Sequence, residues 1–338
     1  ALTRSFVIFQ RDTKDMLGPG LDFPDMFGAS APQTNNARMR NRGWELSLNW
    51  RGKIGNDINY SVGGSLSDAT AEVTEYANPT GTNPAGNWYV GRKVGEIWGY
   101  RAEGIIQTQA EADEYNKYDL SYLSGKAWEP GDVKYVDLNG DKAINRGQNT
   151  LEDMGDMTII GNTTPRYQYT FNGSISWKDL SLSMMFQGVG KRDWDPGTAP
   201  YFWGSGAYAQ VTVFNEHMDY WREDNPNAYY PKPYIHSAGG VTPFRNKIMQ
   251  TSDRYLQSGA YCRLKNITLS YNLPSSWTQR VGLQKVQVFF SGENLLTFTS
   301  LKGMFDPEAI FTGNSYTSEG GKNYPMNKVV SFGLVVNL

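Results

Sequence analysis

One segment of this chain carries oxygen-bearing side chains at four of five alternate positions, 137, 139, 141 and 145. It reads Asp-x-Asn-x-Asp from Asp137, and the next two alternate positions are Ala143 and Asn145. A calcium-binding loop uses the same alternate spacing, because hard oxygen ligands converge as the chain curls around the ion. The candidate calcium ligands are Asp137, Asn139, Asp141, Ala143 and Asp153.

Two positions depart from the calcium pattern. Lys142 stands at the sixth place, where such loops have glycine, and Gln148 stands at the twelfth, where they have a carboxylate. A metal-free hairpin built on Asx turns explains the same residues without an ion. The sequence leaves both interpretations open, and the role is structural in either case.

A second cluster has the chemistry to hold a flat or extended ligand. Aromatic side chains crowd the segment from residue 194 to residue 208. Such rings stack on sugars or grip peptides at little entropic cost. They also anchor a loop by packing, and the sequence leaves this alternative open. The candidate substrate-facing residues are Trp194, Tyr201, Phe202, Trp203 and Tyr208.

Residues suited to catalysis are scarce. Cys262 is the only cysteine, so no cysteine-based metal site is predicted, and without a Ser-His arrangement no activated nucleophile is predicted either. His217 and His236 are too far apart in the sequence to suggest a metal pair. The 34 acidic residues would permit a glycosidase pair, but no spacing places two carboxylates ~5–9 Å apart. We expect no enzyme and no required cofactor, with calcium as a structural candidate.

Alternation of apolar and polar residues predicts the elements that position these groups. From Trp44 to Trp50 every even position is Trp or Leu, and every odd position is polar. A period of two predicts strands, and short Gly-Asn-Asp and Lys-Asp turns predict hairpins. The predicted hairpins are 44–51 with 58–67 and 167–177 with 180–187, and further strands are 267–273, 286–290 and 330–338.

The composition of the two strand faces favours a membrane barrel over a soluble sandwich. The polar face carries mostly Ser, Asn, Gln, Thr and Gly instead of the Lys and Glu of a water-facing sheet. Trp44 and Trp50 stand about 20 Å apart at ~3.3 Å per residue, somewhat short of the ~25 Å apolar band of such barrels. The predicted membrane girdle is Trp44, Trp50, Tyr167 and Trp177.

The overall composition excludes other classes. A net charge of −2 gives no basic field for nucleic acid. No stretch approaches the ~18 uncharged apolar residues that a spanning helix needs. With 14% aromatic residues, 36 Gly and 16 Pro, the chain is expected to be ordered and rich in strands and turns. Long connections at 107–157, 190–258 and 299–328 alternate with very short turns, as in outer-membrane barrels.

Several short motifs follow one another along the chain. They are NRGWELSL at 41–48, VGEIWGY at 94–100, GDVKYVDLNGD at 131–141, TPRY at 164–167, FQGVGKRD at 186–193, RLKNITLSY at 263–271 and SGENLLT at 291–297. Each motif is weak alone, but in this order along residues 41–338 they resemble one known family, the SusC/RagA-type TonB-dependent transporters of the Bacteroidota outer membrane.

The resemblance implies an all-β fold and a place in a larger barrel. Residues 1–338 would be the C-terminal portion of an antiparallel transmembrane β-barrel, supplying nine or ten of about 22 strands, without the plug and the first strands. The last strand would direct membrane insertion, although the family's final residue is usually aromatic and here it is Leu338. The insertion-strand residues are Val330, Phe332, Leu334, Val336 and Leu338.

The resemblance also implies a function. The chain would belong to an outer-membrane importer of oligosaccharides or peptides in a Gram-negative bacterium, working with a SusD-type lipoprotein and driven by the TonB complex through a part of the protein outside this chain. A dimer of transporter–lipoprotein pairs is a further expectation. The alternative is a secreted β-rich module that binds or cleaves glycans. The sequence does not distinguish a sugar from a peptide substrate.

Overall fold

The structure is a computed structural model that describes residues 1–20, 26, 28, 32–78, 81–197, 199–204, 213–234, 246–310 and 323–337. Strands dominate these residues, and no helix among them is long and apolar enough to cross a membrane. The strands are β1 (Leu2–Gly18), β2 (Thr34–Ile54), β3 (Ile58–Glu75), β4 (Glu96–Tyr100), β5 (Ala102–Ile105), β6 (Val133–Tyr135), β7 (Met157–Asn162), β8 (Arg166–Trp177), β9 (Leu180–Lys191), β10 (Asp193–Trp194), β11 (Gln257–Ser258), β12 (Tyr261–Asn272), β13 (Lys285–Thr299) and β14 (Val329–Asn337). The helices are α1 (Gln109–Tyr115), α2 (Pro200–Trp203) and α3 (Ser275–Thr278), with 3₁₀ turns at Asn215–Met218 and Gln279–Val281.

Eight of the strands form one antiparallel sheet. Its order is β1-β2-β3-β8-β9-β12-β13-β14, so β1 and β14 are the two edges. Both predicted hairpins are confirmed: Ile54 pairs with Ile58 across the first turn, and Trp177 pairs with Leu180 across the second. The sequence predicts nine or ten strands for the barrel wall; this sheet holds eight, and the other six strands are short and pair within the connections.

The register of the sheet places apolar residues on one face along all eight strands. Opposed residues in an antiparallel pair point to the same side, so a correct register joins the alternating patterns of neighbouring strands. The large rings on this face are exposed, with Trp50 at 58%, Trp177 at 54% and Phe332 at 79%. Representative opposed sets are Phe6–Leu46–Leu66, Tyr60–Ile175–Leu182 and Leu269–Phe290–Phe332.

Mostly small polar residues occupy the opposite face, which also carries Val7, Phe289 and Val335. Ser65 and Thr170 share a hydrogen bond of 2.6 Å between their hydroxyl oxygens, and Ser181 donates to Ser176 at 2.9 Å. Because this face carries few long charged side chains, it differs from the water-facing side of an ordinary sandwich. The predicted contrast between the two faces is confirmed.

Two charged features interrupt the apolar face. Arg4 lies opposite Leu48 on the edge strand β1, where a long side chain can extend its charge beyond the sheet. Asp68 lies opposite Trp44 and forms an ion pair with Arg166, in which the guanidinium donates through two nitrogens. The Asp68–Arg166 pair therefore marks where the apolar face ends, on the side of the long connections.

The buried hydrophobic core lies mainly outside the large sheet. Three long connections leave the same end of the sheet, and we call their described residues within 76–165, 192–260 and 300–328 the loop assembly. One cluster of buried apolar residues joins all three connections. The assembly contains three two-stranded sheets, in which β4 pairs with β7, β5 with β6 and β10 with β11. The loop assembly is therefore a packed unit.

A fully buried ion pair joins two parts of this unit. The Lys247 ammonium lies 2.6 Å from Asp132, and both side chains have no exposed area. Tyr234 donates to the second carboxylate oxygen at 2.6 Å, and Lys247 donates to the carbonyl of Ala127 at 2.9 Å. Burial raises the pKa of Asp132, and Lys247 opposes that rise. The pair holds segments that are more than one hundred residues apart in sequence.

Replacing Lys247 with Met should open the loop assembly. The substitution leaves the Asp132 carboxylate buried without its counter-charge, which costs ~3–5 kcal/mol in comparable cases. Amide hydrogen exchange at β5 and β6 measures the opening. The double variant Asp132→Asn with Lys247→Met should recover part of the protection, because it buries no charge. Unchanged protection in the single variant would contradict a stabilising role for the pair.

Candidate functional site

The predicted substrate-facing rings lie in the loop assembly, and three of them are buried. Phe202 has no exposed area, and Trp194 and Trp203 are nearly as enclosed. The Trp203 indole donates to the carbonyl of Gly197 at 2.6 Å. Tyr201 is half-buried, and Tyr208 lies outside the described residues. The assignment of these rings to substrate stays a prediction, and their observed contacts are with protein.

These contacts form one aromatic cluster. The Phe202 ring meets the rings of Trp203, Tyr230 and Tyr255 edge to face, at centroid distances of 5.0, 5.5 and 6.3 Å. Edge-to-face pairs add stability beyond the burial of their area. Lys302 lies 3.6 Å from the centroid of the Tyr229 ring, close enough for a cation–π contact. The cluster fixes the segment around α2 against the rest of the loop assembly.

The calcium-like segment forms a series of Asx turns. Both carboxylate oxygens of Asp137 accept backbone N–H groups, from Gly140 at 2.6 Å and from Lys142 at 2.9 Å. Asn139 accepts the N–H of Asp141 at 3.0 Å, and Asp141 accepts the N–H of Ala143 at 2.8 Å. Within the described residues, no group of three or more His, Cys, Asp or Glu side chains is placed to hold an ion. The binding of calcium stays a prediction.

Lys142 adopts the backbone conformation that the sixth place of a calcium loop requires. Its φ is +61°, in the left-handed region where glycine is the usual residue. A residue with a Cβ pays roughly 1–2 kcal/mol for this conformation. The hydrogen bond from the Lys142 N–H to Asp137 helps to hold it.

Asp156 closes this segment, and sequence reasoning missed it. Its buried carboxylate accepts the N–H of Leu138 at 2.7 Å and that of Asn145 at 2.9 Å, so it joins the two ends of the turn series. Burial raises the pKa of Asp156, and the nearby charges of Asp137 and Asp141 add to the rise. Asp153 accepts the N–H groups of Gln148 and Gly155 at 3.1 Å.

The predicted girdle residues form two rows at opposite ends of the apolar face. Trp50 and Trp177 lie near the hairpin turns, opposite Val62 and Ile58 respectively. Trp44 is half-buried and lies toward the loop assembly. Tyr167, with a φ of +53°, is the second residue of β8 at that same end. The contact of these rings with a membrane interface stays a prediction.

The predicted insertion strand is β14, an edge of the large sheet. Val330, Phe332, Leu334 and Val336 share one side of it and are exposed, and Phe332 packs against Phe290 at a centroid distance of 5.2 Å. Leu338 lies outside the described residues. The role of this strand in insertion stays a prediction.

Some known proteins are similar to this chain in sequence and in fold. No family model matches the sequence. The chain is 29% identical over 328 residues to TonB-dependent receptor P3 of Formosa agariphila, a match that covers 93% of this chain and 29% of the receptor. TonB-dependent receptor P26 of the same organism is 24% identical over 343 residues, covering 97% of this chain and 32% of the receptor. The resemblance to TonB-dependent receptors is confirmed.

Solved structures extend the likeness to the fold. The RagAB peptide transporter matches with a TM-score of 0.65 at 23% identity, covering 99% of this chain and 33% of that chain. The open-open state of the RagAB peptide importer matches with a TM-score of 0.66, covering all of this chain and 33% of that one. The chain therefore spans about a third of the length of the TonB-dependent receptors and of the transporter structure that it resembles.

His217 is a second residue of the loop assembly whose contacts sequence reasoning missed. Its Nδ1 accepts the backbone N–H of Phe214 at 3.1 Å, so Nε2 carries the proton and donates to the carbonyl of Tyr201 at 3.0 Å. Burial lowers the pKa of His217, with Lys302 lowering it further and Glu216 opposing. The neutral ring fits this site, because protonation would place an N–H at Nδ1 that faces the backbone N–H of Phe214.

Acidification should loosen the segment around His217. Because folding lowers the pKa of His217, the neutral ring contributes fully to the stability of the folded segment above about pH 6.5. That contribution is lost as the pH falls toward the pKa of the folded state. Amide exchange at residues 213–218, corrected for intrinsic rates, should lose protection between pH 7.5 and 5.5. His217→Gln retains an acceptor but does not titrate, so it should remove most of the pH dependence. An equal loss in that variant would contradict the role of His217.

Proposed function

We propose that this chain forms part of the wall of a TonB-dependent transporter in the outer membrane of a Gram-negative bacterium. The observation that carries the proposal is the antiparallel sheet with one exposed apolar face across eight strands. A soluble protein seldom exposes so large an apolar surface, whereas a transmembrane barrel turns it toward lipid. Similarity to TonB-dependent receptors supports the same assignment.

In this proposal the large sheet closes with further strands into a barrel. The exposed apolar face lies against lipid between the two girdle rows, and the face of small polar side chains lines the interior. The long connections then lie on the extracellular side, because outer-membrane barrels have long extracellular loops and short periplasmic turns. The unpaired edges of β1 and β14 are the places where the wall would continue.

The imported substrate is an oligosaccharide or a peptide. The structural neighbours named as RagAB peptide transporters support a peptide, while the aromatic loop around α2 suits either class. We further propose that a SusD-type lipoprotein covers the loop assembly, that TonB acts through a part of the protein outside this chain, and that two transporter–lipoprotein pairs form a dimer. The relatives are named as receptors and the neighbours as transporters, which supports a role without catalysis.

Charge on the apolar face should block assembly in the membrane. Leu46 and Leu48 lie in the middle of β2, and an arginine at each would cost ~2–4 kcal/mol near the midplane of a bilayer. We expect the variant Leu46→Arg with Leu48→Arg to lose the heat-modifiable band that folded barrels show on gels. The matched control is Ser47→Arg on the opposite face, which should assemble.

Normal assembly of the double arginine variant would invert our assignment of the two faces. Fractionation tests the proposal as a whole: the native protein should remain with the outer membrane until detergent is added. Recovery as a freely soluble protein in buffer would instead favour a secreted glycan-binding or glycan-cleaving module.

We also propose that the turn series from Asp137 to Asp153 binds calcium in a structural role. The left-handed conformation of Lys142 supports this proposal. If it is correct, calcium, but not an equal concentration of magnesium, should increase amide protection at 137–156. Asp141→Asn should abolish that effect, and the exposed Asp113→Asn in α1 serves as the control. Protection that is independent of calcium would leave the Asx-turn hairpin as the explanation.

A further inference from the structure

A polar cavity of about 370 Å³ lies within the loop assembly beside β4. Residues of that strand line it together with residues of the segments that carry Arg146, Asp195 and Thr251. Glu96 is already engaged, because it accepts the Tyr89 hydroxyl at 2.6 Å and the Lys93 N–H at 2.9 Å. The lining groups that matter here are Trp98, Tyr100, Arg146 and Asp195.

Three buried polar atoms of this lining have incomplete hydrogen bonding among the described residues. They are the hydroxyl of Tyr100, Nε1 of Trp98 and Nε of Arg146. Tyr100 is only 1% exposed, so solvent does not easily satisfy its hydroxyl. Burial raises the pKa of Tyr100, and Arg146 opposes that rise through its positive charge and through a hydrogen bond to the hydroxyl oxygen, so the hydroxyl proton is the group left without an acceptor. A buried donor without an acceptor costs free energy, and a ligand acceptor would recover it.

A half-buried aspartate lines the same cavity. Asp195 accepts hydrogen bonds from the Thr251 hydroxyl at 2.8 Å and from the Gly197 N–H at 3.1 Å. Burial raises the pKa of Asp195, and the groups that oppose the rise are these two neutral donors, with no lysine or arginine among them. The carboxylate therefore lacks a counter-cation within the described part of the chain.

We infer that this cavity binds a small zwitterion of the amino-acid type. A ligand carboxylate would accept from Arg146 and Tyr100, and a ligand ammonium would be held by Asp195. Charge-assisted hydrogen bonds of this kind are stronger than neutral ones. A neutral sugar could meet the donors but would supply no charge to either Arg146 or Asp195. The inference does not depend on transport, since it concerns binding to the resting protein.

Calorimetric titration of the purified protein in detergent with glycylglycine tests this site. We expect saturable binding that weakens about tenfold or more in Tyr100→Phe, as loss of a hydrogen bond to a charged group predicts. Tyr100→Phe removes a hydroxyl that donates to no described residue, so the variant should fold normally. Tyr230→Phe is the matched control: its hydroxyl is also buried and unpartnered, but it does not line this cavity, and binding should be unchanged.

Ligand variants distinguish the two charged ends. N-acetylglycylglycine lacks the ammonium and glycylglycine amide lacks the carboxylate, so each should bind about tenfold more weakly or worse. Asp195→Asn should lose its preference for the ligand that carries the ammonium. The inference is overturned if glycylglycine shows no saturable binding, if glucose binds as well as glycylglycine does, or if Tyr100→Phe and Asp195→Asn both bind like the native protein. These outcomes leave the proposed transporter untouched, because fractionation and barrel assembly test that proposal separately.

Discussion

The hydrogen-bonded register of the eight-stranded sheet is the constraint on which the rest of the structure depends. Side chains alternate strictly along each strand, so a slip of one residue between two neighbours would move every apolar residue of a strand to the other face. The observed register keeps Leu46 level with Phe6 and Leu66, and Phe290 level with Leu269 and Phe332. A continuous apolar surface and a continuous polar surface follow from it. In water such a sheet would be an aggregation hazard, whereas in lipid it is a stable wall.

Stability of the connections has a different physical origin. The loop assembly contains most of the fully buried apolar residues, and the Asp132–Lys247 pair and the aromatic cluster around Phe202 join its separate segments. The sheet supplies the fixed ends of three long connections, and the connections pack against one another. Functional groups held in this way keep a defined geometry, as the cavity around Tyr100 and Arg146 requires. A mobile loop could not hold buried donors at fixed positions.

Sequence reasoning predicted the sheet well because its signals are local. Alternation from Trp44 to Trp50 and the Lys178-Asp179 turn each act over a few residues, and together they fix strand phase and hairpin pairing. The number of strands in the large sheet was harder to predict, because short strands such as β4 and β10 pair only within the connections. The buried groups were missed for the same reason: Asp132 meets Lys247 across more than one hundred residues, and Asp156 and His217 sit in segments without periodicity. Burial and pairing at such separations depend on tertiary packing, which no spacing rule reveals.

Accessibility measurements along β2 test the central claim most directly. Single cysteines are introduced one at a time in a Cys262→Ser background, as Leu46→Cys, Ser47→Cys, Leu48→Cys and Asn49→Cys, and each is spin-labelled. Each label reports its collisions with oxygen dissolved in lipid and with a nickel chelate dissolved in water. The account predicts that oxygen collisions peak at 46 and 48 and that chelate collisions peak at 47 and 49. The opposite phase, or equal access to the chelate at all four positions, would contradict a lipid-facing apolar surface.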